Sequence, residues 1–239
     1  MKRQQHNNTQ TNFAFKILYG LCLCLTVLAL SDQLKLYEQK KAVSAANIQL
    51  SDTSEIKRLA LTFDDGPHPS YTEKLLDGLK ERGIKATFFV TGEHAALHPD
   101  IIKRMYEEGH LIGNHTYSHI QLTSTNRDKF KEELVKTNEV IQDITGEEVQ
   151  YVRPPYGSWD KKLETELNMF PILWNVDPLD WCTENAVRVA QTVITDAKEN
   201  DIILMHDYYD SSVEAALLIV DELTKQGYEF VTVDGVLFD

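Results

Sequence analysis

The chain has 239 residues, of which 42% are hydrophobic, and its formal net charge is -13. This length suits one α/β domain, and the hydrophobic fraction is ordinary for a globular protein. The negative charge argues against nucleic acid as a partner, because binding phosphates normally requires a basic surface. Of the three cysteines, Cys22 and Cys24 lie in an apolar segment and Cys182 stands alone, which argues against a disulfide framework.

The N-terminus differs in composition from the rest of the chain. A basic head, Met1-Lys2-Arg3, precedes an apolar run from Ile17 to Leu30. This arrangement is typical of a secretory export signal. The small residues in Ala29-Leu30-Ser31 suit a signal peptidase, whereas an uncleaved segment would anchor the protein in the membrane with the remainder outside. We expect three regions: 1–31 as signal peptide or signal anchor, 32–56 as a linker or stalk, and 57–239 as the folded domain.

Strand and helix signals alternate after the stalk, which itself has helical character around Leu34 to Ala46. Short apolar runs predict strands at Leu59–Phe63, Ala86–Val90, His110–Asn114, Tyr151–Arg153, Ile172–Val176, Ile202–Met205 and Phe230–Val233. Amphipathic stretches predict helices at Ser70–Arg82, Pro99–Glu108, Asp128–Thr145, Asn185–Lys198 and Val213–Gln226, with Ser70 as an N-cap and a short helix before Ile172. About seven β/α units fit a barrel of parallel strands with irregular junctions.

Two adjacent carboxylates, Asp64 and Asp65, close the first predicted strand, and Gly66-Pro67 ends it. Carboxylates this close repel each other, and a bound cation would offset the repulsion, with one carboxylate as ligand and the other as base. His115 and His119 are four positions apart, so a helical turn or a tight loop would place them on the same side. Two histidines and one carboxylate form a familiar catalytic zinc set. Taken separately, an exposed turn and a solvated histidine pair remain the alternatives.

Three more motifs follow short apolar runs. They are Arg153-Pro154-Pro155-Tyr156-Gly157, Asp177-Pro178-Leu179-Asp180-Trp181 and Leu204-Met205-His206. All five elements therefore lie at the predicted carboxyl ends of strands. In an α/β barrel, this is the face where catalytic residues converge.

In this order the five elements resemble the polysaccharide deacetylases, carbohydrate esterase family 4, whose catalytic unit is the NodB homology domain. The resemblance extends from about Arg58 to the end of the chain, and no key motif residue is substituted. It implies a distorted (β/α) barrel and the hydrolysis of N-acetyl groups on amino sugars. The expected substrate is an N-acetylglucosamine polymer, either cell-wall peptidoglycan or a chitin-like oligomer, and we expect an exported monomer.

The resemblance also assigns a role to each motif residue. The implied metal ligands are Asp65, His115 and His119, for one divalent transition metal. Zinc is the expected ion, and cobalt, nickel or iron could occupy the same set. The implied catalytic residues are Asp64 as general base, Arg153 as its partner, His206 as proton donor and Asp180 as the group that orients it. The implied substrate contacts are the Tyr156 backbone N–H, which stabilises the oxyanion, and Trp181 and Leu204, which hold the acetyl methyl.

Other readings of these residues stay open at this point. The same site could act as an O-acetyl esterase on xylan, because an ester is easier to cleave than an amide. A decayed barrel could instead be a non-catalytic wall-binding module. Arg153 could form an ordinary ion pair, Trp181 could be a core residue, and Cys182 could supply a thiol ligand.

Overall fold

The computed structural model describes residues 33–41 and 57–238. Residues 33–41 form helix α1, within the stretch where helical character was predicted. In the part of the chain so described, none of the helices combines the length and apolar character needed to cross a bilayer. The predicted export segment Ile17–Leu30 and most of the predicted stalk lie outside the described residues. Helix α1 belongs to one compact unit, and everything from Lys57 onward belongs to a second.

The second unit is built on one seven-stranded sheet in which every pairing is parallel. Its strands are β1 (Lys57–Asp64), β2 (Thr87–Val90), β3 (Leu111–Asn114), β4 (Tyr151–Val152), β5 (Phe170–Pro171), β6 (Asp201–His206) and β7 (Tyr228–Val231). The order across the sheet is β5-β4-β3-β2-β1-β6, and β7 pairs with β1. Strand β1 pairs with β6 along one edge and shares its other edge between β7 and β2.

Helices alternate with these strands, as the β/α pattern predicts. They are α2 (Tyr71–Glu81), α3 (Gly92–Leu97), α4 (Pro99–Glu107), α5 (Arg127–Thr145), α6 (Lys162–Leu167), α7 (Ala186–Asp196), α8 (Asp210–Lys225) and α9 (Val233–Leu237). The main core forms where apolar helix residues such as Leu75 and Ile219 meet strand residues such as Phe63 and Phe88. Because β1 is central and buried, its carboxyl end is held on every side by packed neighbours.

The barrel is distorted where β5 should meet β6. The predicted strand Ile172–Val176 is wrong, since β5 ends at Pro171 and only Val176 forms a bridge to Ile203 of β6. The physical reason is a buried guanidinium. Arg153 donates from Nε to the Ile172 carbonyl at 3.2 Å and from Nη2 to the Leu173 carbonyl at 3.4 Å. These carbonyls therefore accept hydrogen bonds from a side chain and not from a neighbouring strand. The sheet is therefore curled and incompletely closed.

The structure also differs from the sequence prediction at three other places. Helix α3 was missed, because six residues are too few to show a helical period. The last strand lies at Tyr228–Val231, and Val233 already begins α9. Ser70 precedes α2 but makes no side-chain capping bond. Instead, the Nδ1 atom of His68 accepts the backbone N–H groups of Ser70 and Tyr71, each at 3.2 Å.

Candidate functional site

The parallel register gathers the motif residues at one edge of the sheet. Asp64 at the end of β1 is the register partner of His206 at the end of β6. Asn114 at the end of β3 is likewise paired with Val152 of β4, so His115 and Arg153 leave the sheet side by side. All five sequence motifs lie at this carboxyl-terminal edge, as the sequence predicts for an α/β barrel.

A cavity of about 460 Å³ opens at this edge. Eight of the ten predicted site residues line it, while Arg153 and Asp180 lie behind it, fully or almost fully buried. Four lining residues lie outside the predicted set of site residues: Pro154, Trp174, Asp177 and Tyr209. Tyr209 lies in the loop that follows β6, so the strand-end position could have identified it. Trp174 lies inside the predicted strand Ile172–Val176, and nothing in the sequence marked it as a residue of the site.

Asp65, His115 and His119 form the only group of three metal-ligating side chains found together among the described residues. The Asp65 Oδ1 atom lies 3.4 Å from His115 Nε2 and 3.3 Å from His119 Nε2. Ligand atoms about 2.1 Å from a tetrahedral zinc ion are about 3.4 Å apart, so these separations suit one shared cation. The histidines lie in a tight loop rather than a helix, with a positive φ at Thr116 and His119.

A hydrogen bond fixes which nitrogen His115 presents to the ligand group. The Nδ1 atom of His115 lies 2.6 Å from the Arg153 carbonyl oxygen, which only accepts, so Nδ1 carries the proton. Its Nε2 atom therefore has a free lone pair and faces Asp65. His94 Nδ1 similarly donates to the Asp65 backbone carbonyl at 2.7 Å and holds the turn that carries this carboxylate. Contacts of this kind orient metal ligands from outside the coordination sphere.

The charge states of this group also suit a cation. Burial opposes ionisation of Asp65, but the neighbouring His115, His119 and His206 outweigh it and lower the pKa to about 2. Burial lowers the pKa of His119, which keeps its imidazole neutral and able to coordinate. Asp65 Oδ1 is buried and has no hydrogen-bond partner. A buried carboxylate oxygen left unpaired needs an explanation, and a bound metal ion supplies one.

Asp64 is held by a buried cation. Its Oδ1 atom accepts a 2.8 Å hydrogen bond from Arg153 Nη1, and its Oδ2 atom lies 3.8 Å from His115 Nε2. Arg153 is completely buried, donates also to Thr62 Oγ1 at 2.7 Å, and lies over the Phe89 ring at 4.2 Å from its centroid. Burial lowers the pKa of Arg153 and Asp64 opposes this shift. One carboxylate oxygen is thus fixed, and the other faces the ligand group.

His206 is held by a buried anion. Asp180 accepts the ring Nδ1–H at 2.9 Å through Oδ1 and the His206 backbone N–H at 2.9 Å through Oδ2. Burial alone would lower the pKa of His206, but the bond to Asp180 and the charges of Asp180, Asp64 and Asp65 raise it to about 9. His206 is therefore protonated at neutral pH, and its Nε2–H is the ring donor that Asp180 does not use.

Left-handed backbone conformations concentrate in the motif loops. Among the described residues other than glycine and asparagine, a positive φ occurs at Asp65, Thr116, His119, Tyr156 and Leu179. Each lies in one of the predicted motifs or directly between two ligands. Such conformations cost free energy for residues with a Cβ atom, and they persist where the surrounding structure enforces them. The motif loops therefore hold the site side chains in position at some cost in the free energy of folding.

The sequence reading missed a buried carboxylate, Asp207, that joins two sides of the site. It accepts a hydrogen bond from the Thr72 hydroxyl, and burial raises its pKa to about 7. A Cβ atom at Gly66 would lie 2.3 Å from both carboxylate oxygens of Asp207. Glycine is therefore required at Gly66 so that the turn after Asp65 can lie directly against the end of β6.

Comparisons with known proteins agree with this geometry. A family model described as polysaccharide deacetylase matches residues 51–172. The peptidoglycan-N-acetylglucosamine deacetylase PgdA of Listeria monocytogenes is 41% identical over 178 residues, covering 74% of this chain and 38% of the relative. The peptidoglycan-N-acetylmuramic acid deacetylase PdaC of Bacillus subtilis is 38% identical over 201 residues, covering 83% of this chain and 43% of the relative. The chain thus spans less than half the length of both relatives.

Solved structures show the same fold. That of the peptidoglycan deacetylase PdaC from Bacillus subtilis has a TM-score of 0.74 at 39% identity, over 77% of this chain and 91% of that one. A pseudoenzyme of the CE4 family from Bacillus anthracis has a TM-score of 0.71 at 28% identity, over 77% of this chain and 66% of that one. Since the fold also occurs in a pseudoenzyme, activity depends on the residues of the site and not on the fold alone. By its matched family model and its relatives, the chain belongs to the polysaccharide deacetylase family.

Proposed function

We propose that this protein is a metal-dependent hydrolase that removes N-acetyl groups from N-acetylglucosamine residues of cell-wall peptidoglycan. One observation carries the proposal. A single cavity presents a cation-binding group, a carboxylate held by a buried arginine and a histidine that is protonated at neutral pH. Amide hydrolysis needs these parts together, because water is a weak nucleophile and an amine is a poor leaving group.

The residues that would hold the metal are Asp65, His115 and His119. The unpaired Asp65 oxygen and the two imidazole nitrogens form a donor set that suits zinc or a neighbouring transition metal and not a purely oxygen-preferring ion. A zinc ion bound there would lower the pKa of its water and polarise the acetyl carbonyl. The protein side of the reaction then rests on Asp64 and His206.

Asp64 acts as the general base. It removes a proton from the attacking water while the water oxygen forms a bond to the acetyl carbon. Arg153 pairs with this carboxylate and fixes its orientation through the 2.8 Å bond to Oδ1. This leaves Oδ2 facing the ligand group, where the proton is accepted.

His206 acts as the general acid. Its Nε2–H donates a proton to the amide nitrogen as the carbon–nitrogen bond breaks, so acetate and a free glucosamine amine are the products. Asp180 stabilises the imidazolium before this step and holds the ring by its Nδ1–H. The backbone N–H of Tyr156 is proposed to stabilise the oxyanion, and Trp181 and Leu204 to contact the acetyl methyl.

Charge at the cavity favours N-acetylglucosamine over N-acetylmuramic acid. Muramic acid carries an additional lactyl carboxylate, which needs a cationic partner. Among the described residues that line the cavity there is no lysine or arginine, whereas Asp177 adds a further acidic group. We therefore propose the glucosamine residue as the substrate unit, although one relative acts on the other sugar.

The test uses the purified full-length protein with added zinc or cobalt on peptidoglycan, N-acetylglucosamine oligomers and acetylated xylan. We expect equal amounts of acetate and free amine from the first two substrates. The Asp64→Asn protein serves as the inactive control on every substrate. Acetate released from xylan alone, with no amine from glucosamine polymers, would replace the proposal with an O-acetyl esterase.

We also propose that the catalytic unit works outside the cytoplasmic membrane, since peptidoglycan lies there and the N-terminal basic head and apolar run fit an export signal. A reporter enzyme fused after Asp239 should be active on the outer side of the membrane. A reporter that is active only in the cytoplasm would contradict export.

A further inference from the structure

A cluster of aromatic and histidine rings extends from the rim of the cavity, and among its members only His94 supports the site described above, through its bond to the Asp65 carbonyl. We define the ring platform as Tyr208, Tyr209, His68, His94 and Tyr71. The rings of Tyr208 and Tyr209 are 6.0 Å apart, and Tyr209 lines the cavity. Tyr208 contacts His68 edge-on at 5.0 Å and stacks on His94 at 5.5 Å. The platform is therefore continuous with the catalytic cavity.

The platform is rigid, because hydrogen bonds to the backbone hold its two histidines. His68 Nδ1 accepts two backbone N–H groups at the start of α2, and its ring stacks on Tyr71 at 4.3 Å. His94 Nδ1 donates to the Asp65 carbonyl. A surface that is already ordered loses little conformational entropy when a ligand binds, which favours affinity.

Two members of the platform are exposed, and His68, Tyr71 and His94 are half-buried. Tyr208 is 37% exposed and Tyr209 is 44% exposed. Their hydroxyls, together with that of Tyr71, make no hydrogen bond within the part of the chain that the structure describes. Because His68 accepts at Nδ1, its Nε2 carries the proton and donates, whereas His94 donates at Nδ1 and accepts at Nε2. The platform thus offers apolar faces with both donors and acceptors at their edges.

This chemistry suits an uncharged sugar ring. Pyranose C–H groups pack against the electron-rich face of an aromatic ring, and sugar hydroxyls both donate and accept. The platform contains no lysine or arginine, and burial together with the neighbouring His98 and His94 lowers the pKa of His68, which disfavours a charged His68 ring. The nearby Lys74 is paired with Asp210 at 2.6 Å.

We propose that the ring platform binds a further sugar residue of the glycan, beyond the residue whose acetyl group is removed. This subsite rests on the proposed function, because its occupant is the same polymer that enters the cavity. It would make the enzyme favour chains over short fragments. It would also place the polymer across the segments that follow β1, β2 and β6.

The test measures binding of an N-acetylglucosamine pentasaccharide by calorimetry to full-length protein that also carries Asp64→Asn, so that no turnover occurs. Adding Tyr208→Ala should weaken binding roughly 2- to 12-fold, the range expected for loss of one aromatic contact. Tyr208→Phe should restore most of the affinity because it keeps the ring. Tyr106→Ala is the matched control, since Tyr106 is 41% exposed and lies away from the cavity, where it bonds to Glu147.

In the active protein, Tyr208→Ala should lower the ratio of kcat/KM for the pentasaccharide to kcat/KM for the disaccharide, and Tyr106→Ala should leave it unchanged. Equal affinity in the Tyr208→Ala and Tyr106→Ala proteins would overturn the subsite, as would failure of the parent protein to bind the pentasaccharide. Tight binding that depends on Tyr208 without acetate release by the active protein would support the subsite and contradict the proposed hydrolysis.

Discussion

Two carboxylate–cation pairs face the same cavity and differ in which partner is exposed to it. In the pair formed by Arg153 and Asp64, the arginine is entirely buried and the carboxylate lines the cavity. In the pair formed by Asp180 and His206, the carboxylate is buried and the imidazole lines the cavity. Each buried partner sets the charge of the group in front of it. Arginine stabilises a carboxylate that can accept a proton, and aspartate stabilises an imidazolium that can give one.

The comparison shows how one site can hold an acid and a base at the same pH. An arginine guanidinium never loses its proton in proteins, so the positive charge that is paired with Asp64 does not change with pH. The Asp180 side supports a group that titrates, with a pKa of about 9 for His206. Changes at the first pair should therefore alter activity or stability at every pH, whereas changes at the second should alter the pH dependence.

The largest effect is expected for Asp64→Asn. The amide cannot accept a proton from water, so kcat should fall by about 10²- to 10⁴-fold, the usual contribution of a general base. Metal content should stay normal, because Asp64 is not in the ligand group. Asp65→Asn is the matched control on the adjacent residue, and its metal binding should be severely weakened. Normal turnover by the Asp64→Asn protein would assign the base to another group.

Arg153→Met should cause the next largest effect, on the free energy of unfolding. It leaves the Asp64 carboxylate buried and unpaired and frees the Ile172 and Leu173 carbonyls, so a loss of about 3–5 kcal/mol is expected. Arg127→Met removes an arginine paired with Asp160 and Glu166 at the surface and should cost less than about 1 kcal/mol. Chemical denaturation measures both values. Similar losses in the two variants would show that the buried pair has no special importance.

The smallest effect is expected for Asp180→Asn, which should shift the pH dependence of the rate and change the rate at low pH only slightly. The asparagine has no charge, so the pKa of His206 should fall from about 9 toward its ordinary value. Because the acid form is active, activity should decline at a lower pH than in the parent protein, and the variant should recover partly below neutral pH. Asp177→Asn lines the same cavity without bonding to His206, and its alkaline limb should stay in place. A pH–rate profile of kcat/KM decides between these outcomes.

Much of this site could be predicted from the sequence because parallel strands end at a common edge. Apolar runs marked β1 and β6, and the charged residues after them had to meet there. The five ordered motifs then supplied the family and a role for each residue. The strand ends thus indicated which residues converge. His115 and His119 lie together in a tight loop, which their spacing of four positions allowed.

What the sequence did not reveal depends on contacts between distant segments. The strand pattern at Ile172–Val176 failed because the guanidinium of Arg153 bonds to those carbonyls. The requirement for Gly66 became visible only when Asp207 was found packed against it, and no local pattern marks that approach. The ring platform likewise joins the segments that follow three different strands, so its residues have no common spacing along the chain.

The central claim is that one metal ion, bound by Asp65, His115 and His119, is required for deacetylation by the Asp64 and His206 pair. The most direct test titrates zinc into metal-free protein while acetate release from an N-acetylglucosamine oligomer is followed. Activity should rise in proportion to zinc until one ion is bound per chain. His115→Ala protein should neither retain zinc nor release acetate. Full activity in the presence of a strong chelator, or tight zinc binding by the His115→Ala protein, would contradict the account.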